Sequence, residues 1–96
     1  MSSIRFTWDP AKAELNSRKH AVSFEEASTV FADELGRLMY DPDHSNDEDR
    51  YLILGMSTSL RILVVCHVYR EDAGLIRIIS ARKATSLERK QYEDLP

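Results

Sequence analysis

RILVVCHVYR at residues 61–70, EDAG at 71–74 and LIRIISARK at 75–83 together decide the fold. The two outer segments have strand length and are rich in β-branched residues, and the tetrapeptide between them is a turn. Two long strands joined so tightly run antiparallel. Leu75–Lys83 is the most apolar segment and is expected at the centre of the sheet. Upstream, Tyr51–Gly55 reads as a strand joined to Arg61–Arg70 across MSTSL, and Leu35–Tyr40 as another. Between those two lies DPDHSNDED, Asp41–Asp49, a loop kept open by Pro42. Four successive strands with short connections predict an antiparallel meander.

Helices flank this meander. Ile4–Trp8 alternates apolar and polar residues as a short strand does, and Asp9-Pro10 then opens a helix to about Lys19 or His20. Ser23-Phe24-Glu25-Glu26 reads as a capping box, with Val22 placed to staple against Ala27. The second helix should reach about Ala32 with Phe24, Ala27 and Phe31 on one face, and Gly36 suits the reversal that follows. Thr85-Ser86-Leu87-Glu88 is a second capping box, opening a helix to about Asp94. The predicted order is β-α-α-β-β-β-β-α. The class is α+β, with a four- to five-stranded, mainly antiparallel sheet, two N-terminal helices and one C-terminal helix.

The 96 residues suit one domain over 1–96. No stretch approaches the ~20 apolar residues of a membrane span. MSSIRFTWDP has no apolar signal region, and the single cysteine, Cys66, suits a reducing cytoplasm. The net charge of −3 is unevenly spread. Residues 1–50 hold six Lys/Arg against eleven Asp/Glu, and residues 51–96 hold seven against five, so a basic face on an acidic protein is open to it.

Two constellations carry possible chemistry. On the first helix, Lys12, Asn16 and Lys19 fall within a narrow arc with His20 beside it, while Trp8, Ala11 and Leu15 are expected toward the core. Ammonium, amide and imidazole groups beside aromatic surface suit a phosphate and a stacked base, although a solvated helix face has the same spacing. The second constellation is Arg77, Ser80 and Arg82 on the last strand. An arginine within an apolar strand needs a carboxylate partner or a ligand. Strict alternation sends Arg77 to one face and Ser80 and Arg82 to the other unless a bulge intervenes. Arg82 and Lys83 close the strand beside a helix N-terminus, where an oxyanion is favoured. His67 reads as a half-buried strand histidine and His44 as exposed. The acidic run lacks the sixth-position glycine and twelfth-position glutamate of a calcium loop, and no Cys/His cluster has zinc spacing. No metal and no cofactor are expected.

Taken in order, these residues resemble the BrnT family. The resemblance lies in FTWDPAK (6–12), NSRKH (16–20), SFEEASTVFAD (23–33), DPDHS (41–45), RYLILG (50–55), RIISARKA (77–84) and ERKQY (88–92). It implies a RelE-like fold and a type II toxin that cleaves RNA and arrests translation. It also implies a BrnA-type ribbon-helix-helix antitoxin, through which alone the complex would meet operator DNA. Two departures stand out: Ala21 and Leu60 occupy positions where the family favours glycine, and Ala21 suggests a tighter or shifted helix end.

Under that reading the substrate's 2′-hydroxyl attacks, with no metal. Arg77 and Arg82 stabilise the developing charge and His20 moves the proton, with Glu88 or Tyr92 able to replace it. Lys12, Lys19, Trp8, Ser80 and Tyr92 are the expected substrate contacts. The alternatives are a non-catalytic antitoxin-binding module, such as a decayed toxin acting only in operon autoregulation, and a protein-targeting toxin such as a gyrase poison.

Overall fold

The computed structural model describes residues 4–94, and the ends of the domain expected over 1–96 lie outside the described residues. The elements are β1 (Arg5–Thr7), α1 (Pro10–His20), α2 (Phe24–Thr29), β2 (Arg37–Tyr40), β3 (Tyr51–Met56), β4 (Ile62–Arg70), β5 (Leu75–Lys83) and α3 (Ser86–Glu93). They form one five-stranded sheet in the order β1-β5-β4-β3-β2, antiparallel except for the parallel β1–β5 pair. The class and element order are those predicted.

The meander therefore holds, with one correction. The middle strand is β4, and β5 lies between it and β1. The six β4 residues from Leu63 to Val68, five of them apolar and the sixth His67, are all buried. The short β1 pairs only Leu75–Arg77 and leaves the outer edge of β5 open beyond them. Gly74, in the left-handed conformation at φ 57°, closes the β4–β5 turn.

That open edge explains a second correction. Of the residues expected to face the core at α1, Trp8 packs on it, but Ala11 is exposed and Leu15 is 64% exposed. Ala13 meets the core instead, and Asn16 is only 8% exposed. The Asn16 amide donates to the Val22 and Ala81 carbonyls at 3.0 and 2.8 Å and accepts from the Ala81 N–H at 3.0 Å. It thus takes the place of a strand residue where β1 has ended. Buried strand N–H and C=O groups must find partners, and this requirement outweighs the preference for an apolar residue.

The two faces of the sheet differ. On one, Val22, Phe24, Ala27 and Val30 pack on Ile53, Leu63, Val65, Ile76, Ile78 and Ala81. Each fully buried aliphatic or aromatic side chain there contributes ~2 kcal/mol. On the other, α3 lays Tyr92 over Leu54 and Val64. Gly55 allows the segment after α2 to approach β3, since a Cβ there would lie 2.8 Å from Val30 Cγ1.

The helix ends carry further corrections. α2 stops at Thr29 and continues as a 3-10 turn, Val30–Ala32, and β2 begins only at Arg37. Ser23 caps Glu26 N–H, but the Glu26 carboxylate does not return to the cap. It pairs with Arg61 and accepts from the Ser57 hydroxyl at 2.7 Å. The Thr85–Glu88 capping box is complete. Ala21 does not shift the helix end. It adopts the left-handed conformation itself at φ 57°, as Leu60 does at φ 63°.

Candidate nucleic-acid interface

Within β4–β5 the register slips at Cys66/His67: Cys66 opposes Ser80, whereas His67 opposes Ile78. Ile79 is the extra residue. Cross-strand partners share a face, so the slip resets alternation. Ile76, Ile78 and Ala81 stay together under the helices. Arg77, Ser80 and Arg82 thereby all turn to the opposite face, which strict alternation would have divided between two.

The same register adds residues that sequence reasoning missed. Arg5 and Arg70 both oppose Leu75, so they share the face of Arg77. Glu48, from the acidic loop, pairs with Arg77. This loop also contains a 3-10 turn, Pro42–His44, and its exposed His44 meets Asp41 at 2.9 Å. The signal for Glu48 was only the density of acid in the loop and the need of a strand arginine for a carboxylate partner. Arg50, at the loop's end, acts electrostatically on Cys66. The Nε atoms of Arg50 and Arg77 are shielded from water and have no hydrogen-bond partner among the described residues. Such donors call for an oxygen acceptor.

At the other end of the face, Arg82 donates to both oxygens of Glu88 at 2.7 and 3.0 Å. This guanidinium, helped by the Thr85 N–H, holds the Glu88 carboxyl down at about 2. Arg77 is 42% exposed and Arg82 40%, so both ion pairs are open to water and ions can exchange there. Five residues of strand separate them, roughly 16 Å at ~3.3 Å per residue. That is more than twice the spacing of adjacent phosphates, so the two suit phosphates that are not neighbours on one strand, with Ser80 and Cys66 between them. The Cys66 thiol is buried, and burial pushes it up, so it stays protonated.

The remaining predicted residues divide by location. Lys12 and Lys19 are exposed on the stripe of α1 that carries Asn16, and that stripe runs along the β5 edge. His20 ends α1, partly buried. Ala21, next to it, accepts from Arg61 at 3.1 Å, which sets this helix end near the strand end of Arg82 and Lys83. Trp8 is half-buried, edge-on to Phe24 with ring centroids 5.9 Å apart. Tyr92 is buried, and its hydroxyl donates to Asp33 at 2.6 Å. Burial and the Asp33 charge push Tyr92 up to about 12. Burial pushes Asp33 up, but hydrogen bonds from Met56 N–H, Tyr92 and Leu35 N–H outweigh it, and the carboxyl lies below its usual range. His67 is more deeply buried than expected, and burial lowers its pKa.

Fold and site define a small α+β protein with half-exposed guanidinium groups arrayed along one sheet face. The chain belongs to the BrnT family: residues 8–88 match the family described as ribonuclease toxin, BrnT, of type II toxin-antitoxin systems. An antitoxin partner follows from that membership. The crystal structure of the Brucella abortus ribonuclease toxin BrnT aligns with 88% of this chain and 100% of that chain at 21% identity, with a TM-score of 0.63. At that identity the likeness shows the fold. No curated protein matches the sequence. No helix among the described residues is long and apolar enough to cross a membrane.

Proposed function

We propose that the chain is a metal-independent endoribonuclease that uses the 2′-hydroxyl of its RNA substrate as nucleophile. Attack on the adjacent phosphorus forms the 2′,3′-cyclic phosphate and breaks the bond to the 5′ oxygen. The supporting observation is the bulge that puts Arg77, Ser80 and Arg82 on one face. The ion pairs Arg77–Glu48 and Arg82–Glu88 are half-exposed and each worth no more than about 1 kcal/mol, so incoming phosphates can displace the carboxylates. At their separation along β5, one guanidinium freed in this way stabilises the phosphorane charge while the other holds a flanking phosphate. Lys12 and Lys19 extend the cationic track along the β5 edge, and the part of Trp8 left exposed is available to a base.

His20 is the proton-transfer group in this scheme. Glu88 is held ionised and Tyr92 is committed to Asp33, so neither is poised near neutrality. The partner we propose is a BrnA-type ribbon-helix-helix antitoxin that carries all operator contact, and the site of action is the cytoplasm.

The test is cleavage of an RNA oligonucleotide in EDTA, with the product ends analysed. Expected are cyclic-phosphate and 5′-hydroxyl ends, with losses of ~10²–10³-fold for Arg77→Ala and Arg82→Ala and ~10²-fold or more for His20→Ala. If all three variants fold and cleave at the wild-type rate, the assignment is wrong. One observation favours a second reading, a decayed toxin that only binds its antitoxin: both arginines already have carboxylate partners. Growth that continues normally when the chain is expressed without antitoxin would support it.

A further inference from the structure

The helices α1 and α2 cover only part of their face of the sheet. Beyond Phe31 the same face continues bare as an open apolar groove of about 560 Å³. Its lining runs from Leu38 on β2 through Tyr51 and Tyr69 to Ile4 before β1. Leu38 is 61% exposed, Ile4 49% and Tyr69 46%, and the groove is backed by the edge-to-face Phe31–His67 contact. Large apolar side chains gathered in this way mark a surface that another chain covers. The groove crosses β2, β3, β4 and β5 as far as Ile4 just before β1, about 19 Å at ~4.8 Å per strand.

Charge identifies the occupant. The groove is lined by two carboxylates, Asp49 and Glu71, and by no lysine or arginine. Both lie at the end of the sheet where β3 begins and β4 finishes, and neither forms an ion pair among the described residues. His67 is held neutral by burial and supplies no cation. An acidic rim repels RNA, whose phosphates suit the arginine face on the other side of the sheet. It attracts a basic peptide.

We propose that this groove seats an amphipathic helix of the partner antitoxin, roughly 13 residues long at 1.5 Å per residue. Its apolar side lies on Leu38, Tyr51 and Tyr69, and lysine or arginine along one flank meets Asp49 and Glu71. The antitoxin helix completes the layer that α1 and α2 begin. Anchoring is then separate from the arginine face, so the antitoxin can be held on one side of the sheet while another segment reaches the other. The inference uses family membership for the existence of a partner and does not depend on the ribonuclease mechanism.

The test is calorimetric titration of the purified chain with its purified partner antitoxin. Leu38→Asp is expected to weaken binding at least tenfold. Glu71→Lys is expected to weaken it three- to tenfold and to flatten its salt dependence. Both sites are exposed, and both variants should keep the wild-type melting temperature and RNA cleavage. Unchanged antitoxin affinity in both variants overturns the proposal. So does loss of RNA-oligonucleotide binding with antitoxin affinity intact, or a wild-type dimer in sedimentation that Leu38→Asp dissolves. The binding readout is the same whether or not the chain cleaves RNA, so failure of either reading is distinguishable from failure of the other.

Discussion

The covered part of the sheet's helix side holds Phe24, Val22, Leu63 and Ile78 essentially without exposure. The opposite side carries Arg77 and Arg82, each held by one carboxylate and each about two-fifths exposed. Burial of carbon is roughly proportional to the area covered and needs no charged partner. Half-exposed ion pairs contribute little stability and exchange partners readily. One sheet therefore separates two duties: the first face fixes the fold, and the second keeps cations in place without committing them.

Substitutions can break or sharpen that contrast. Phe24→Ala should cost ~3–5 kcal/mol in urea unfolding, because it empties the centre of the covered face. Asn16→Ala should cost ~3 kcal/mol, since it leaves the Ala81 N–H and the carbonyls of Ala81 and Val22 without partners. A loss below ~1 kcal/mol would mean that water replaces the amide and that the edge is not dry.

Tyr92→Phe should cost ~1 kcal/mol by removing the bond to Asp33. The pH dependence has a definite sign. The folded pKa of about 12 stands above the ordinary 10.0, so the contribution is complete below pH 10 and disappears as pH rises toward 12. Spectrophotometric titration and alkaline melts of the wild type and of Tyr92→Phe check this.

Ala21→Gly should gain ~0.5–1 kcal/mol, because glycine takes the left-handed conformation without the Cβ conflict. Thermal melts would show it, and Leu60→Gly should act in the same direction. Glu88→Gln should have the smallest effect, under ~1 kcal/mol. In the wild type this contribution is present above pH 4.5 and is lost as pH falls toward 2, and acid titration of the two proteins would show the difference. Should Glu88→Gln cost as much as Phe24→Ala, the contrast between the faces would be gone.

Much of this was legible in the residues. Capping at Asp9 and Thr85, the EDAG turn and the apolar runs of β4 and β5 each act over a few neighbours, so the sequence alone placed the elements and their order. The arginines of β5 were legible as unusual for the same local reason. The edge role of Asn16 was not, because it depends on β1 stopping after Thr7, some 70 residues before Ala81 in the chain. Nor was the Glu48 partner of Arg77, which the loop brings from 29 residues away.

By itself the sequence determined an α+β protein with a meander, three helices and cations concentrated in an early helix and a late strand. Only the tertiary structure decided which of those cations share a face. The slip at Cys66/His67 is a property of two strands in register and of neither alone. Hydrogen-bond pairing between distant segments sets side-chain direction by whole steps of alternation, so one extra residue reassigned Arg77, and no local pattern in LIRIISARK could announce it.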